Sequence, residues 1–233
     1  MELTLVGTYR RSLGASLESL LENALDWEHL PWIHAASFNS IECTDSGPWG
    51  WRAIVGSVAT DSDVGLELLL DRDRATWVSR TLDGVGVGTE IWSAAVPIGP
   101  RSCEVTVEFH APDVHPETAD RLGTAYARLY ERLYDEDESM MVGREAALAN
   151  PRGVPVRLVE VDGEWCAFKA RCPHSFGPLD DAPVVNGVIQ CPWHGYRFDV
   201  RTGANLDGHR CRLARVPVPS TVVSPAATSR AHL

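Results

Sequence analysis

The sequence predicts an α+β chain of two domains, and three observations carry that reading. Residues 37–109 alternate apolar and polar side chains between turn signals, which is the β period. Residues 116–149 keep helical spacing without interruption, and residues 154–219 return to short β segments around paired Cys and His. A length of 233 residues leaves room for two cores, and 44% apolar with 23% charged residues is ordinary for a globular protein. The longest apolar runs, such as Leu68-Leu69-Leu70, fall far short of a membrane span. Tyr9-Arg10-Arg11 follows the short apolar start too closely for a secretory leader, so a cytoplasmic protein is expected.

Leu13, Leu17, Leu20, Leu21, Ala24 and Leu25 recur at helical spacing and predict an amphipathic helix over 13–28, interrupted by Pro31. Turn signals at 44–48, 71–74 and 83–84 divide the following stretch into roughly six strands of an antiparallel meander. Pro116-Glu117 then opens a long helix to about Ala149, with the stripe Leu122, Tyr126, Leu129, Leu133, Met140. Asn150-Pro151-Arg152-Gly153 ends it. A short helix, a curved sheet and a long helix across that sheet make a helix-grip (START-like) domain, which encloses an apolar cavity. The expected divisions are 1–150 for this domain, 151–219 for an all-β domain, and 220–233 for a disordered tail rich in Ser, Thr, Ala and Pro.

The net charge of −11 is unevenly spread. Residues 1–150 carry 11 Arg against 25 acids, and residues 151–233 carry 10 basic residues against 7 acids. Surfaces of opposite sign suit docking of the two domains, within or between chains. An acidic domain repels phosphate, which excludes nucleic acid as a partner.

Two motifs carry the chemistry. Cys172-Pro173-His174 and Cys191-Pro192-Trp193-His194 each offer one sulfur and one nitrogen. Two thiolates and two imidazoles suit either a tetrahedral zinc or a [2Fe–2S] cluster. Zinc sites more often use CxxC knuckles, whereas a cluster whose one iron takes both Cys and the other both His needs this partition. Earlier in the chain, His29 and His34 stand five apart, which on a straight helix splays them by about 140°. Pro31 is expected to break the helix and let both imidazoles turn to one point. Two neutral nitrogens and a carboxylate with open positions form the facial triad of non-haem Fe(II) sites. The carboxylate is sought in Asp135-Glu136-Asp137-Glu138. At about 100° per residue, Asp137 falls inside the apolar stripe, Glu136 lies on its edge, and Asp135 and Glu138 point away. A carboxylate on a core-facing stripe is costly unless paired or bound to metal, so Asp137 is the expected third ligand and Glu136 the second choice.

Residues 172–198, including His194-Gly195-Tyr196-Arg197-Phe198, closely resemble the Rieske family. Residues 22–34, with Asn23, Asp26, His29 and His34 in the spacing Asn-x2-Asp-x2-His-x4-His, resemble the mononuclear-iron motif of Rieske non-haem iron oxygenases, the aromatic-ring-hydroxylating α-subunit family. The resemblance implies a [2Fe–2S] cluster on Cys172, His174, Cys191 and His194, and Fe(II) on His29, His34 and Asp137. It also implies that Asp26 links an iron-ligand His to a cluster-ligand His, and that Asn23 lies beside the iron. The domain order is reversed relative to the family, whose head-to-tail trimer is the expected assembly. Phe176 and Trp193 stand where the quinol-oxidising branch has its extra Cys pair, so no such disulfide is expected. Cys43, Cys103, Cys166 and Cys211 show no paired spacing; Cys166 and Cys211 are assigned only packing, and His110, His115 and His209 only structural or surface roles.

The implied function is an oxygenase using O2 and electrons from a separate NAD(P)H-dependent reductase or ferredoxin. It would hydroxylate or oxidatively dealkylate a hydrophobic, aromatic small molecule, as in aromatic hydrocarbon catabolism. The chain has no Gly-rich dinucleotide fingerprint, which places the reductase on a partner. The alternative is a non-catalytic Rieske electron-transfer protein fused to a hydrophobic-ligand-binding domain.

Overall fold

A computed structural model describes residues 2–219; the tail expected over 220–233 lies outside the described residues. The chain divides into two compact units between Glu145 and Ala146, inside the last turn of a helix that the sequence reading assigned whole to the first domain.

The first unit is a seven-stranded antiparallel sheet gripping a long helix. Its strands are β1 (Leu3–Leu13), β2 (Phe38–Gly47), β3 (Gly50–Ser57), β4 (Ser62–Asp71), β5 (Thr76–Asp83), β6 (Glu90–Gly99) and β7 (Ser102–Pro112). They lie in the order β1-β7-β6-β5-β4-β3-β2, so a meander from β2 to β7 is completed by β1 against β7. Six of these strands are the expected meander; β1 is additional. Burial alternates without a break along β7, where Cys103, Val105, Val107, Phe109 and Ala111 face inward. These side chains and Trp51, Leu68 and Trp77 form one face of the core.

Helix α1 (Leu17–Leu25) is shorter than the predicted helix because Ser16 caps it, accepting from Ser19 N at 3.2 Å. After α1 come a 3-10 turn (Trp27–His29) and a second short helix, α2 (Leu30–Ile33). The last element is α3 (Pro116–Ala149), which spans the predicted limits. It crosses β1 at a glycine contact: a Cβ on Gly123 would stand 2.0 Å from Val6 O. That close approach seats α3 over the sheet, with Tyr134, Asp137, Met140 and Met141 buried.

The second unit is all β: β8 (Val156–Val161) with β9 (Glu164–Lys169), and a sheet of β10 (Val184–Val185), β11 (Val188–Gln190) and β12 (Arg197–Asp199). Asp162-Gly163 and Asn186-Gly187 turn the two tight hairpins, all four residues at positive φ, as a type I′ turn requires. Phe168, Leu179, Ile189, Phe198 and Val200 are fully buried at its centre. Among the described residues no helix is long and apolar enough to cross a membrane.

Candidate metal centres

In the first unit the decisive break in the helix falls at Asp26, upstream of the proline. Asp26 takes φ −85° and ψ 85° and donates its N–H to the carbonyls of Glu22 and Asn23. Trp51 Nε1 donates to Ala24 O at 3.0 Å and pins the turn to β3. Pro31 instead occupies the first turn of α2, where its missing N–H leaves no bond unmade. The turn at Asp26 and the short helical segment after it bring His29 and His34 together edge-on, their ring centres 5.0 Å apart at 73°.

His29 Nε2 lies 3.2 Å from His34 Nε2 and 3.3 Å from Asp137 Oδ1, and His34 Nε2 lies 3.1 Å from the same oxygen. All three residues are buried. An ion bonded at about 2.1 Å holds right-angled donors about 3.0 Å apart and tetrahedral donors about 3.4 Å apart, and the observed spacings fall between. With the Nε2 lone pairs turned inward, three buried acceptor atoms so close repel one another unless a cation sits among them. Burial alone would push the Asp137 carboxyl up, but bonds and charge from His29 and His34 outweigh it and hold the group well below the usual range. Burial lowers His34, yet Asp137 and Glu136 together raise it above an ordinary imidazole.

Each member of the acidic run is paired. Asp135 and Glu138 both bind Arg11, Glu138 also accepts from Gly14 N, and Glu136 Oε2 meets His34 Nδ1 at 2.7 Å. Only Asp137 reaches the two Nε2 atoms. Glu136 is therefore placed behind His34 and away from the point of convergence.

Asp26 Oδ2 stands 4.0 Å from His29 Nδ1. Asn23 Oδ1 is buried without a hydrogen bond. Both side chains, with His29, His34 and Asp137, line a cavity of about 540 Å³ between α3 and the sheet. Its remaining wall is mostly apolar and aromatic, including Leu68, Trp77, Tyr126 and Leu129.

In the second unit the two Cys-and-His loops are built to one pattern. Cys172 N donates to Gly177 O and Cys191 N to Tyr196 O, each five residues on; Phe176 N returns to Cys172 O and Gly195 N to Cys191 O, each four residues on. The fourth residue after each Cys has positive φ, 62° at Phe176 and 71° at Gly195. A Cβ on Gly177 would stand 2.6 Å from Cys191 Sγ, so only glycine leaves that sulfur its place. Cys191 is drawn down to about 5 by the hydrogen bond with Cys172, with further bonds from His194 and the backbone of Trp193 and His194. Cys172 is pushed up by the same sulfur contact and by burial, opposed by the backbone of His174 and Ser175. Backbone N–H groups favour charge on both sulfurs, as a cluster bound by two thiolates needs. The rings of His174 and His194 stand 4.7 Å apart at 85°.

Residues 134–217 match the Rieske [2Fe-2S] domain. A Rieske domain implies a [2Fe–2S] cluster, and the donor set of the paired loops fits one. The match begins inside α3, ahead of the point where the units divide. Over 38 residues the chain is 53% identical to the oxygenase component of dicamba O-demethylase from Stenotrophomonas maltophilia, covering 16% of this chain and 11% of that protein. It is 34% identical over 74 residues to the ferredoxin component of the naphthalene 1,2-dioxygenase system of Pseudomonas aeruginosa, covering 32% of this chain and 66% of that one. These similarities span only part of the length of the relatives. Among solved structures, a START superfamily protein from Mycobacterium smegmatis aligns with a TM-score of 0.46 and 15% identity, over 57% of this chain and 97% of that one.

His209 combines the two roles expected for it, structural and surface. It is exposed, but its ring stacks on Tyr196 at 3.9 Å, and Tyr196 stacks on His174 at 4.3 Å. No motif surrounds His209, and the stack depends on a loop closed by Asn205, whose Oδ1 accepts from the N–H of Asp207 and of His209.

Proposed function

We propose that the protein is a Rieske-type non-haem iron oxygenase acting on a hydrophobic, aromatic small molecule. The observation that carries this reading is the buried triad His29, His34 and Asp137, opening on an apolar cavity in a chain that also holds a Rieske domain. Cys172, Cys191, His174 and His194 would hold the cluster; His29, His34 and Asp137 would hold Fe(II). When bound, these groups supply single electrons and open coordination positions for O2 chemistry.

The protein's own residues provide the rest. The apolar wall binds a ring by burial, worth about 25 cal/mol per Å² removed from water, and excludes water from the triad. Asn23 lines the cavity beside the triad, with its Oδ1 buried. Asp26 is assigned the link between His29 and a cluster imidazole, of this chain or of a second copy in a trimer. Electrons are assigned to a separate reductase or ferredoxin. Similarity to the dicamba O-demethylase oxygenase favours oxidative demethylation or hydroxylation as the reaction class.

Similarity to a ferredoxin component favours a second reading, a non-catalytic electron carrier joined to a ligand-binding domain. Iron content separates the two. The oxygenase holds three irons per chain, one of them lost in His29→Ala with the cluster's EPR signal intact; the carrier holds two and is indifferent to that change. A wild-type protein saturated at two irons would sink the oxygenase reading.

A further inference from the structure

We propose that Glu136 is a positioning residue for the mononuclear centre, acting through His34. This rests on the reading of His29, His34 and Asp137 as a metal site. Glu136 Oε2 and His34 Nδ1 are 2.7 Å apart, on the side of the imidazole opposite the Nε2 that meets Asp137. A carboxylate there accepts the Nδ1 proton, leaves the lone pair on Nε2, and fixes the plane of the ring. The two imidazoles are not treated alike. The nearest carboxylate oxygen to His29 Nδ1 is Asp26 Oδ2, at 4.0 Å, beyond hydrogen-bond range. His34 is thus the firmly held ligand, and His29 has the looser outer contact. Because Glu136 and Asp137 are consecutive on α3, one turn of helix supplies both a ligand and the partner of another ligand. A shift of that turn would move both together.

Co(II) is the probe, because its ligand-field bands report on donors directly. The full chain, carrying its cluster and freed of the third metal by a mild chelator, is titrated with Co(II). Glu136→Ala is expected to weaken binding roughly 10–100-fold and to alter the ligand-field bands. Glu136→Gln, which keeps an acceptor without charge, should fall between it and the wild type. Asp135→Ala, which loses only the bond to Arg11, should match the wild type. Cluster absorption and circular dichroism show whether each variant folds, and Glu136→Gln decides the matter if the alanine variant does not. Wild-type affinity and bands in a folded Glu136→Ala or Glu136→Gln protein, with binding lost in Asp137→Ala, would overturn the role of Glu136 and leave the metal site standing. Undiminished binding in Asp137→Ala would overturn both.

Discussion

Glu136 and Asp137, neighbours on α3, approach opposite nitrogens of the same imidazole: Glu136 lies 2.7 Å from His34 Nδ1 and Asp137 lies 3.1 Å from His34 Nε2. Consecutive helical residues point about 100° apart, so both reach one ring because His34 stands between them. The centre is therefore assembled by two elements, the broken segment at 26–34 and one turn of α3. It depends on how α3 is seated on the sheet.

Asp26→Asn should separate metal loading from electron supply. Asn keeps the size of the side chain and its place at the end of α1, but loses the charge facing His29. Iron content should stay at the wild-type level, while turnover falls roughly 10–100-fold, as for other outer partners of metal-bound His. Single-turnover kinetics on the pre-reduced protein checks this; loss of the third iron would instead assign Asp26 to metal holding.

Gly177→Ala should strike the cluster and spare the first unit. The added Cβ would stand 2.6 Å from Cys191 Sγ and 3.2 Å from the Trp193 ring, so the sulfur must move. Cluster content, read from visible absorption per chain, is expected to fall severalfold. Far-UV circular dichroism and Co(II) binding at the triad should change little.

Much of this was legible in the sequence, and the exceptions have physical causes. The meander from β2 to β7 showed itself because one face is buried and the period of two is sharp, as at Cys103, Val105 and Val107. Strand β1 did not: only Val6 and Leu13 are buried along it, and a bulge between Leu5 and Gly7 breaks its phase. Leu13 belongs to that strand and not to the first helix, whose apolar spacing it also fits. The position of Asp137 could be derived because α3 is regular and its stripe long. The partner of Glu136 could not, since an edge position is compatible with solvent as well as with a neighbour. The stack of His209 on Tyr196 rests on loop hydrogen bonds, which leave no periodic trace.

Leu129→Trp should close the cavity without disturbing either metal centre. Leu129 lines the chamber from α3, distant in sequence from the triad residues of 26–34. The larger side chain occupies volume that an aromatic ligand needs. Fluorescence enhancement of anilinonaphthalene sulfonate, expected for the wild type, should be lost or weakened at least tenfold, with iron content unchanged. Equal dye binding in both proteins would show that the chamber is not where apolar ligands enter.

Glu145 offers a test of how α3 holds the broken segment in place. Its carboxylate accepts from Ser16 N at 2.7 Å and Ser19 Oγ at 2.6 Å, capping α1 from a distance of more than a hundred residues in sequence. Burial pushes the group up, but the bonds from Ser19 and Ser16 and the contact with Arg101 outweigh it and lower it below an ordinary glutamate. A carboxyl held lower in the folded than in the unfolded chain stabilises the fold fully above its unfolded value, about 4.3, and loses that contribution as pH falls through the folded value. Glu145→Gln should therefore cost about 1 kcal/mol at neutral pH, the scale of a lost helix cap. The gap between variant and wild type should narrow steadily on acidification. Denaturant unfolding at neutral pH and again below the glutamate range measures both numbers, and a gap that stayed constant across that range would show that the charge on Glu145 contributes nothing to seating α1.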